Sequence, residues 1–340
     1  MKNIFDFATK ELSQDAFLRW LFENYDCKEC PAVRETCRRL FDSFTDNTLD
    51  FDKIKNLRTV AQWKNIDVAV WFEINNETYL IVIEDKTGSG EHDHQLERYM
   101  REIETHNQWW REHVHKQKNP ERYAERDDHV FHIFFKTDIV GAERKYIEAL
   151  GWKVYDIFAI FELLGNIHAE NELLCAYAAH IHDLYVSARH EGAPSRWALI
   201  AWHSFFVDYA NGLGSPDSCG VVTDINHYQS SYYYIKFLLK DHASDRPAFE
   251  IRSRHYDACA HSWRVLINLY CVVPQPTQAQ INDWQKALTD AGIQLNYRRD
   301  PSNQKQIGHY VLPIEEDTEA ALRKALDSAV TRLIAIYGKD

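Results

Sequence analysis

No stretch of this 340-residue chain approaches the ~20 apolar residues needed to cross a bilayer. The N-terminus also has no basic segment leading into an apolar one. Together these absences predict a chain with no membrane partner and no secretory signal, hence a cytoplasmic protein. A disulfide framework is missing too: the seven cysteines are odd in number and lack framework spacing, which fits reduced thiols. Cys27-Lys28-Glu29-Cys30, with Cys37 nearby, has the spacing of half a zinc or iron–sulfur site. The second Cys-x-x-Cys pair that would complete it is absent, since Cys175, Cys219, Cys259 and Cys271 are scattered. Free thiols around a helix–helix turn are the expectation. Internal repeats and low-complexity tracts are also lacking in the C-terminal half. Positive charge is short, with 39 Lys and Arg against 51 Asp and Glu, a net −12. That balance argues against wholesale nucleic-acid binding, because affinity for phosphate comes from cationic contacts. A phosphate-processing protein of this charge has to confine its positive groups to one groove and let a bound cation offset its acids.

What is present is concentrated between Asp67 and Lys86. Ile66-Asp67-Val68-Ala69-Val70-Trp71-Phe72-Glu73-Ile74 and Thr78-Tyr79-Leu80-Ile81-Val82-Ile83-Glu84-Asp85-Lys86 flank a polar Asn75-Asn76-Glu77. Two β-branched and aromatic runs around an Asn-rich turn predict an antiparallel hairpin. The continuous run Leu80-Ile81-Val82-Ile83 predicts a strand covered on both faces. Three charged residues end that run, and ionised groups are rarely placed there unless paired or bound to a metal.

Strand alternation puts Glu84 and Lys86 on one face and Asp85 on the other, with Asp67 on the partner strand. Two carboxylates meeting at a strand end make a hard oxygen site suited to Mg²⁺ or Mn²⁺. An adjacent ammonium can position water and offset charge developing on phosphorus. The other reading of Glu84-Asp85-Lys86 is a surface ion-pair cluster.

The flanking segments extend the pattern. Glu11-Leu12-Ser13-Gln14-Asp15 predicts the opening of an amphipathic helix through Ala16, Phe17, Leu18, Trp20, Leu21 and Phe22, with Ser13 as its N-cap. Gly88-Ser89-Gly90 predicts a flexible link. Gln95-Leu96-Glu97-Arg98-Tyr99 predicts a second helix with Gln95 and Tyr99 on one face at i, i+4.

This order resembles the PD-(D/E)XK nuclease superfamily. Asn3-Ile4-Phe5, the segment Glu11 to Trp20, Ile66-Asp67, and Ile83 to Gln95 with Tyr99 resemble one bacterial family of PD-(D/E)XK nuclease-like proteins. Gln95 and Tyr99 also resemble the Gln-x-x-x-Tyr element of its RecB-like and phage-exonuclease branch. The resemblance covers roughly the first half of the chain, and Ile66 stands where the superfamily's proline would precede Asp67. It implies that Asp67 and Glu84 are metal ligands and that Lys86 is the water-positioning cation. Glu11 would reach the metal through water, Asp85 would offer only its backbone carbonyl, and Gln95 and Tyr99 would border the site. The implied fold is an α/β restriction-endonuclease-like core, a mixed central sheet flanked by helices.

Other clusters have plainer readings. His92-Asp93-His94 reads as a solvated loop facing the substrate before a ligand set, because adjacent loop side chains diverge. His106, His113 and His115 follow no ligand spacing. Arg101, Arg111, Lys116, Lys118 and Arg122 with Trp109 and Trp110 suit phosphate contact and base stacking. Interspersed Glu102, Glu104, Glu112, Glu121 and Glu125 favour an ordinary charged face instead. Tyr232-Tyr233-Tyr234-Ile235-Lys236-Phe237 reads as a strand before a stacking platform.

At this length two domains are the prior. The first, residues 1–190, would continue through strands at Val130–Phe135 and Trp152–Tyr155, and helices at about Asp156–Leu164 and Ala169–Ala188. Arg189-His190-Glu191-Gly192-Ala193-Pro194 reads as a linker. A second α+β domain, residues 195–340, would open with a Trp-rich helix at about Ser195–Ala210, ending at Asn211-Gly212. Strands are expected near Gly220–Thr223, Tyr232–Leu239, Ala248–Ser253, Arg264–Val272, Ile293–Tyr297 and His309–Leu312. A helix beginning near Pro276 should present Ile281, Trp284 and Leu288 and stop at Gly292, and a last helix should span about Asp317–Ile336. This half has no catalytic signature; substrate selection or docking of a protein partner is the expectation.

The leading expectation is a Mg²⁺-dependent nuclease, with Mn²⁺ able to substitute, acting on DNA in phage defence or repair. The alternative is a binding or regulatory module that keeps the fold without turnover.

Overall fold

The computed structural model describes residues 3–6, 11–87, 94–113, 129–141, 143–165, 167, 171–213, 221–228, 232–239, 247–254, 264–271, 277–296 and 306–337. The chain forms two compact units, Met1–Val186 and Ser187–Asp340.

The first unit is a mixed five-stranded sheet in the order β1-β2-β3-β4-β5. Its strands are β1 Lys55–Trp63, β2 Ile66–Ile74, β3 Glu77–Lys86, β4 Val130–Lys136 and β5 Lys153–Tyr155. The first three are antiparallel neighbours; β4 and β5 then add in parallel. Both hairpin turns have two central residues at positive φ: Lys64 and Asn65 (55° and 68°), then Asn75 and Asn76 (53° and 66°). Two-residue turns with this hand match the twist of paired strands, and asparagine tolerates it better than most residues that carry a side chain. Glu77 therefore belongs to β3 and not to the turn.

Two helices, α1 Glu11–Glu23 and α2 Pro31–Phe44, lie in this unit before the sheet. Phe17, Leu18, Leu21 and Phe22 bury one stripe of α1, and Pro31 starts α2 where a missing N–H costs nothing. Phe41 of α2 packs edge-on against Phe72 of β2 at 5.2 Å, and Phe44 against Phe135 of β4 at 6.4 Å. Those residues share the face on which Asp85 lies. The opposite face is covered by α3 Gln95–His113 and α4 Glu143–Ala149. There Leu96, Tyr99, Ile103 and Ile147 pack with Ala69, Leu80, Val82 and Phe134. Two more helices follow, α5 Ile157–Leu164 and α6 Glu172–Ala188, with Asp156 capping α5 by accepting from Ala159 N at 3.2 Å.

Several expectations shift. α1 already includes Glu11, so Ser13 lies within its first turn and is not its N-cap. β1 had no sequence forecast because it is an edge strand with Lys55 and Arg58 exposed, which dilutes the apolar alternation. The short α4 was also unforeseen.

The second unit holds an antiparallel five-stranded sheet, order β10-β9-β8-β7-β6. The strands are β6 Val221–Tyr228, β7 Tyr232–Leu239, β8 Pro247–Arg254, β9 Arg264–Cys271 and β10 Gln306–Val311. Phe249, Ile251, Val265, Ile267 and Leu269 form one apolar face. They join a cluster with Trp202, Phe205 and Phe206 of α7 Leu199–Gly212 and Leu326 and Val330 of the last helix, Glu319–Tyr337. α7 starts later than expected, after a 3₁₀ turn at Pro194–Arg196. The helix Gln278–Asp290 starts from a Thr277–Gln280 capping box. Around Ile293–Tyr297 the described residues form no strand, only an isolated bridge between Asn296 and His309. Among the described residues no helix is long and apolar enough to cross a membrane.

Candidate functional site

The register of β2 and β3 decides which side chains meet. Val68 pairs with Ile83 and Ala69 with Val82, so the next step brings Asp67 beside Glu84. Both then point to the face covered by α3. Glu84 is fully buried and forms an ion pair with Lys86, itself 6% exposed. Glu84 Oε2 has no hydrogen-bond partner. Burial first, and the Asp67 charge second, push the Glu84 carboxyl up to about 8. Burial opposes the charge on Lys86, but Glu84, then Asp67 and Glu11, outweigh it and raise the pKa. Lys86 is therefore an ammonium, a donor and not a base.

Asp67 is half-buried and held at both oxygens. Oδ2 accepts from the Asp85 backbone N–H at 2.9 Å and Oδ1 from Gln62 Nε2 at 3.0 Å. Gln62 sits on β1 with φ of 52°, a left-handed value uncommon for a side-chain-bearing residue.

Glu11 opens α1, and its negative charge acts on both Asp15 and Lys86, which places it at the site's edge. Gln95 and Tyr99 are one turn apart on α3. Gln95 donates to the Tyr99 hydroxyl, which donates to the Asn65 carbonyl at 2.7 Å. Burial, then the Glu84 charge, push Tyr99 up to about 12. The Gln-x-x-x-Tyr element thus ties α3 to the turn that leads into Asp67.

Asp85 faces away from Glu84 and Lys86, yet it is fully buried rather than solvated. It accepts from Gln14 of α1 and lies beside Asp15, also buried. Burial and then the Asp67 charge push Asp15 up to about 7; burial and then Asp15 push Asp85 well above its usual range. Sequence reasoning missed Gln14, Asp15 and Gln62. The signal for Asp15 was its place one helical turn after Glu11. Lys136, missed too, ends β4 in register with Lys86.

The donor set fits a hard divalent cation. Two carboxylates face each other at a strand end, and one of their buried oxygens has no partner in the protein. Among the described residues no three His, Cys, Asp or Glu side chains converge on one point. A shortage of protein ligands suits an ion that keeps several waters and takes oxygens from a phosphate.

His94 is largely exposed and bonds Tyr146 Oη at 3.3 Å. Gly88-Ser89-Gly90, His92, Asp93, His115, Lys116, Lys118 and Arg122 lie outside the described residues, as do the side chains of His106, Trp109, Trp110, Arg111, His113 and Tyr232–Tyr234. Cys27, Cys30 and Cys37 carry free thiols.

Residues 2–121 match the family model described as the PD-(D/E)XK nuclease superfamily. The matched segment contains Glu11, Asp67, Glu84, Lys86, Gln95 and Tyr99, and it supports a nuclease-type function. Nucleases of this superfamily generally use divalent metals. No curated protein and no solved structure matches the chain significantly.

Proposed function

Because residues 2–121 match the model of the PD-(D/E)XK nuclease superfamily, we propose that this protein hydrolyses DNA phosphodiester bonds with the help of Mg²⁺, or Mn²⁺ in its place. The observation that carries the reading is the convergence of Asp67, Glu84 and Lys86 on one face at the end of β3, with Glu84 Oε2 unpartnered.

Asp67 and Glu84 would hold the ion, together with the Asp85 carbonyl and, through water, Glu11. The ion's contribution is to polarise the phosphoryl oxygens and neutralise charge in an in-line displacement. The chain's residues do the rest. Gln62 and the Asp85 N–H fix the Asp67 carboxylate. The Lys86 ammonium orients the attacking water and donates to the oxygen on which charge develops; Glu84 fixes its direction. Gln95 and Tyr99 border the site and brace the turn before Asp67.

Linear, nicked, circular and single-stranded DNA, with RNA in parallel, should be offered to wild type, Asp67→Ala and Lys86→Ala in Mg²⁺ or Mn²⁺. Removing either group should slow cleavage by roughly a thousandfold, the loss typical of one electrostatic stabiliser. Cleavage that survives both changes would sink the assignment. The circular substrate separates internal cutting from attack at ends. Calorimetric titration with Mn²⁺ addresses the non-catalytic alternative, which gains if no binding depends on Asp67 and Glu84. The second unit, Ser187–Asp340, is proposed to select substrate or dock a partner, in phage defence or repair.

A further inference from the structure

Two lysines stand side by side in the sheet. β3 and β4 run parallel in the register Glu84↔Phe134 and Lys86↔Lys136. Register partners on adjacent strands lie ~4.8 Å apart and present side chains to the same face. Phe134 and Val130 packing with Leu80 and Val82 confirms that shared face. Lys136 is 3% exposed, so a second ammonium is buried next to the first.

Like charges directly opposite each other in a sheet are destabilising, and a buried lysine needs an anion. Lys86 has Glu84 at contact distance and feels Asp67 and Glu11. Lys136 Nζ is 3.4 Å from Glu143 Oε1, at the long end of an ion pair, and Glu143 is a quarter exposed at the first residue of α4. That arrangement leaves the partner of Lys136 easy to exchange. The pair of ammoniums complements an anion with several oxygens that can bridge them. Glu84 is already committed to Lys86.

We propose that Lys136 is a substrate-binding residue that contacts a backbone phosphate of the nucleic-acid strand, exchanging Glu143 for it on binding. This assignment rests on the nuclease reading of the neighbouring site. It gives an acidic chain a local cationic pair where the phosphate must enter.

Binding of a short fluorescein-labelled duplex, and of one of its strands alone, should be measured in metal-free buffer over a range of salt concentrations. The proteins are full-length wild type, Lys136→Met, Lys136→Arg and Glu143→Gln, each checked by thermal melting. One lost phosphate contact lowers the slope of log affinity against log salt by about one and weakens binding alike for all sequences, here by roughly tenfold. Lys136→Met should show that change together with a raised KM, and Lys136→Arg should retain most of the affinity. Glu143→Gln should bind as well as wild type or better, because it removes the competing carboxylate. If the ion pair were only structural, Glu143→Gln and Lys136→Met would weaken binding equally, and that result overturns the proposal. So does a Lys136→Met protein with unchanged slope and KM while wild type still cleaves. A wild-type protein that neither binds nor cleaves any nucleic acid overturns the nuclease reading and this assignment together.

Discussion

The Asp85 backbone N–H donates to Asp67 Oδ2 at 2.9 Å, so the variable position of Glu84-Asp85-Lys86 serves the site through its main chain. The other Asp67 oxygen is held by Gln62 across the β1–β2 pair. Groups that orient a ligating carboxylate commonly account for ten- to hundredfold in metal affinity or activity. Gln62→Ala should therefore weaken Mn²⁺ binding by about tenfold while leaving the fold intact, since Gln62 is exposed. Calorimetry checks it, and unchanged affinity would show that the Asp85 N–H suffices alone.

The opposed faces of β3 separate Glu84 from Asp85 functionally. Glu84→Gln removes a proposed ligand and should abolish measurable cleavage. Asp85→Asn keeps the shape and the Gln14 contact, and its backbone donor is unaffected. It should keep activity within about tenfold, a change of roughly 1.4 kcal/mol in barrier. Asp85→Ala should instead lower Tm, because Gln14 and Asp15 are buried around it. A steady-state assay beside a thermal melt separates the two. An Asp85→Asn protein as inactive as Glu84→Gln would contradict the face assignment.

Crowded carboxylates make the metal-free protein sensitive to pH. Burial, then Asp67, raise Glu84 from 4.5 to about 8, and Asp15 rises from 3.8 to about 7 by burial and the same charge. Between those limits the folded state binds protons that the unfolded chain has released, so unfolding free energy falls as pH rises. The stabilisation is fully present below pH 3.8 to 4.5 and is lost by about 8. Surface acids such as Asp52, lowered by hydrogen bonds from Arg38 and Arg34, act below this window. Tm of metal-free protein should thus decline from pH 5 to 8, less steeply in Glu84→Gln, and Mg²⁺ should recover most of the loss at the upper end. A Tm that climbs across this range would refute it.

Much of this was legible because the strongest signals are local. Leu80–Ile83 announced a strand buried on both faces, and alternation then assigned Glu84, Asp85 and Lys86 to sides without further information. Packing across the sheet was not legible. Nothing in the spacing joins Gln14 to Asp85 or Lys86 to Lys136, since those contacts depend on helix placement and on a parallel register set by a crossover. β1 carries no such signal, because an edge strand has no need of a continuous apolar run. Ser13 carries the residue type of an N-cap but not the position, because Glu11 already lies inside the helix.

Tyr99 gives the most direct reading of how far the helix α3 controls the site. Its hydroxyl is buried and donates to the Asn65 carbonyl, in the turn one residue before Ile66 and two before Asp67. Tyr99→Phe removes the hydroxyl that donates to that carbonyl and accepts from Gln95, at a cost of about 1–3 kcal/mol. The lost stability should appear as a Tm drop of a few degrees. Activity should fall further than stability predicts, about tenfold or more, because a small displacement of a ligand is amplified in rate. With the phenol pushed up to about 12, no phenolate forms at working pH. The pH–rate profile of Tyr99→Phe should therefore parallel that of wild type at a lower level. A profile that loses a limb would mean the hydroxyl exchanges a proton during turnover, which a brace for the turn does not do.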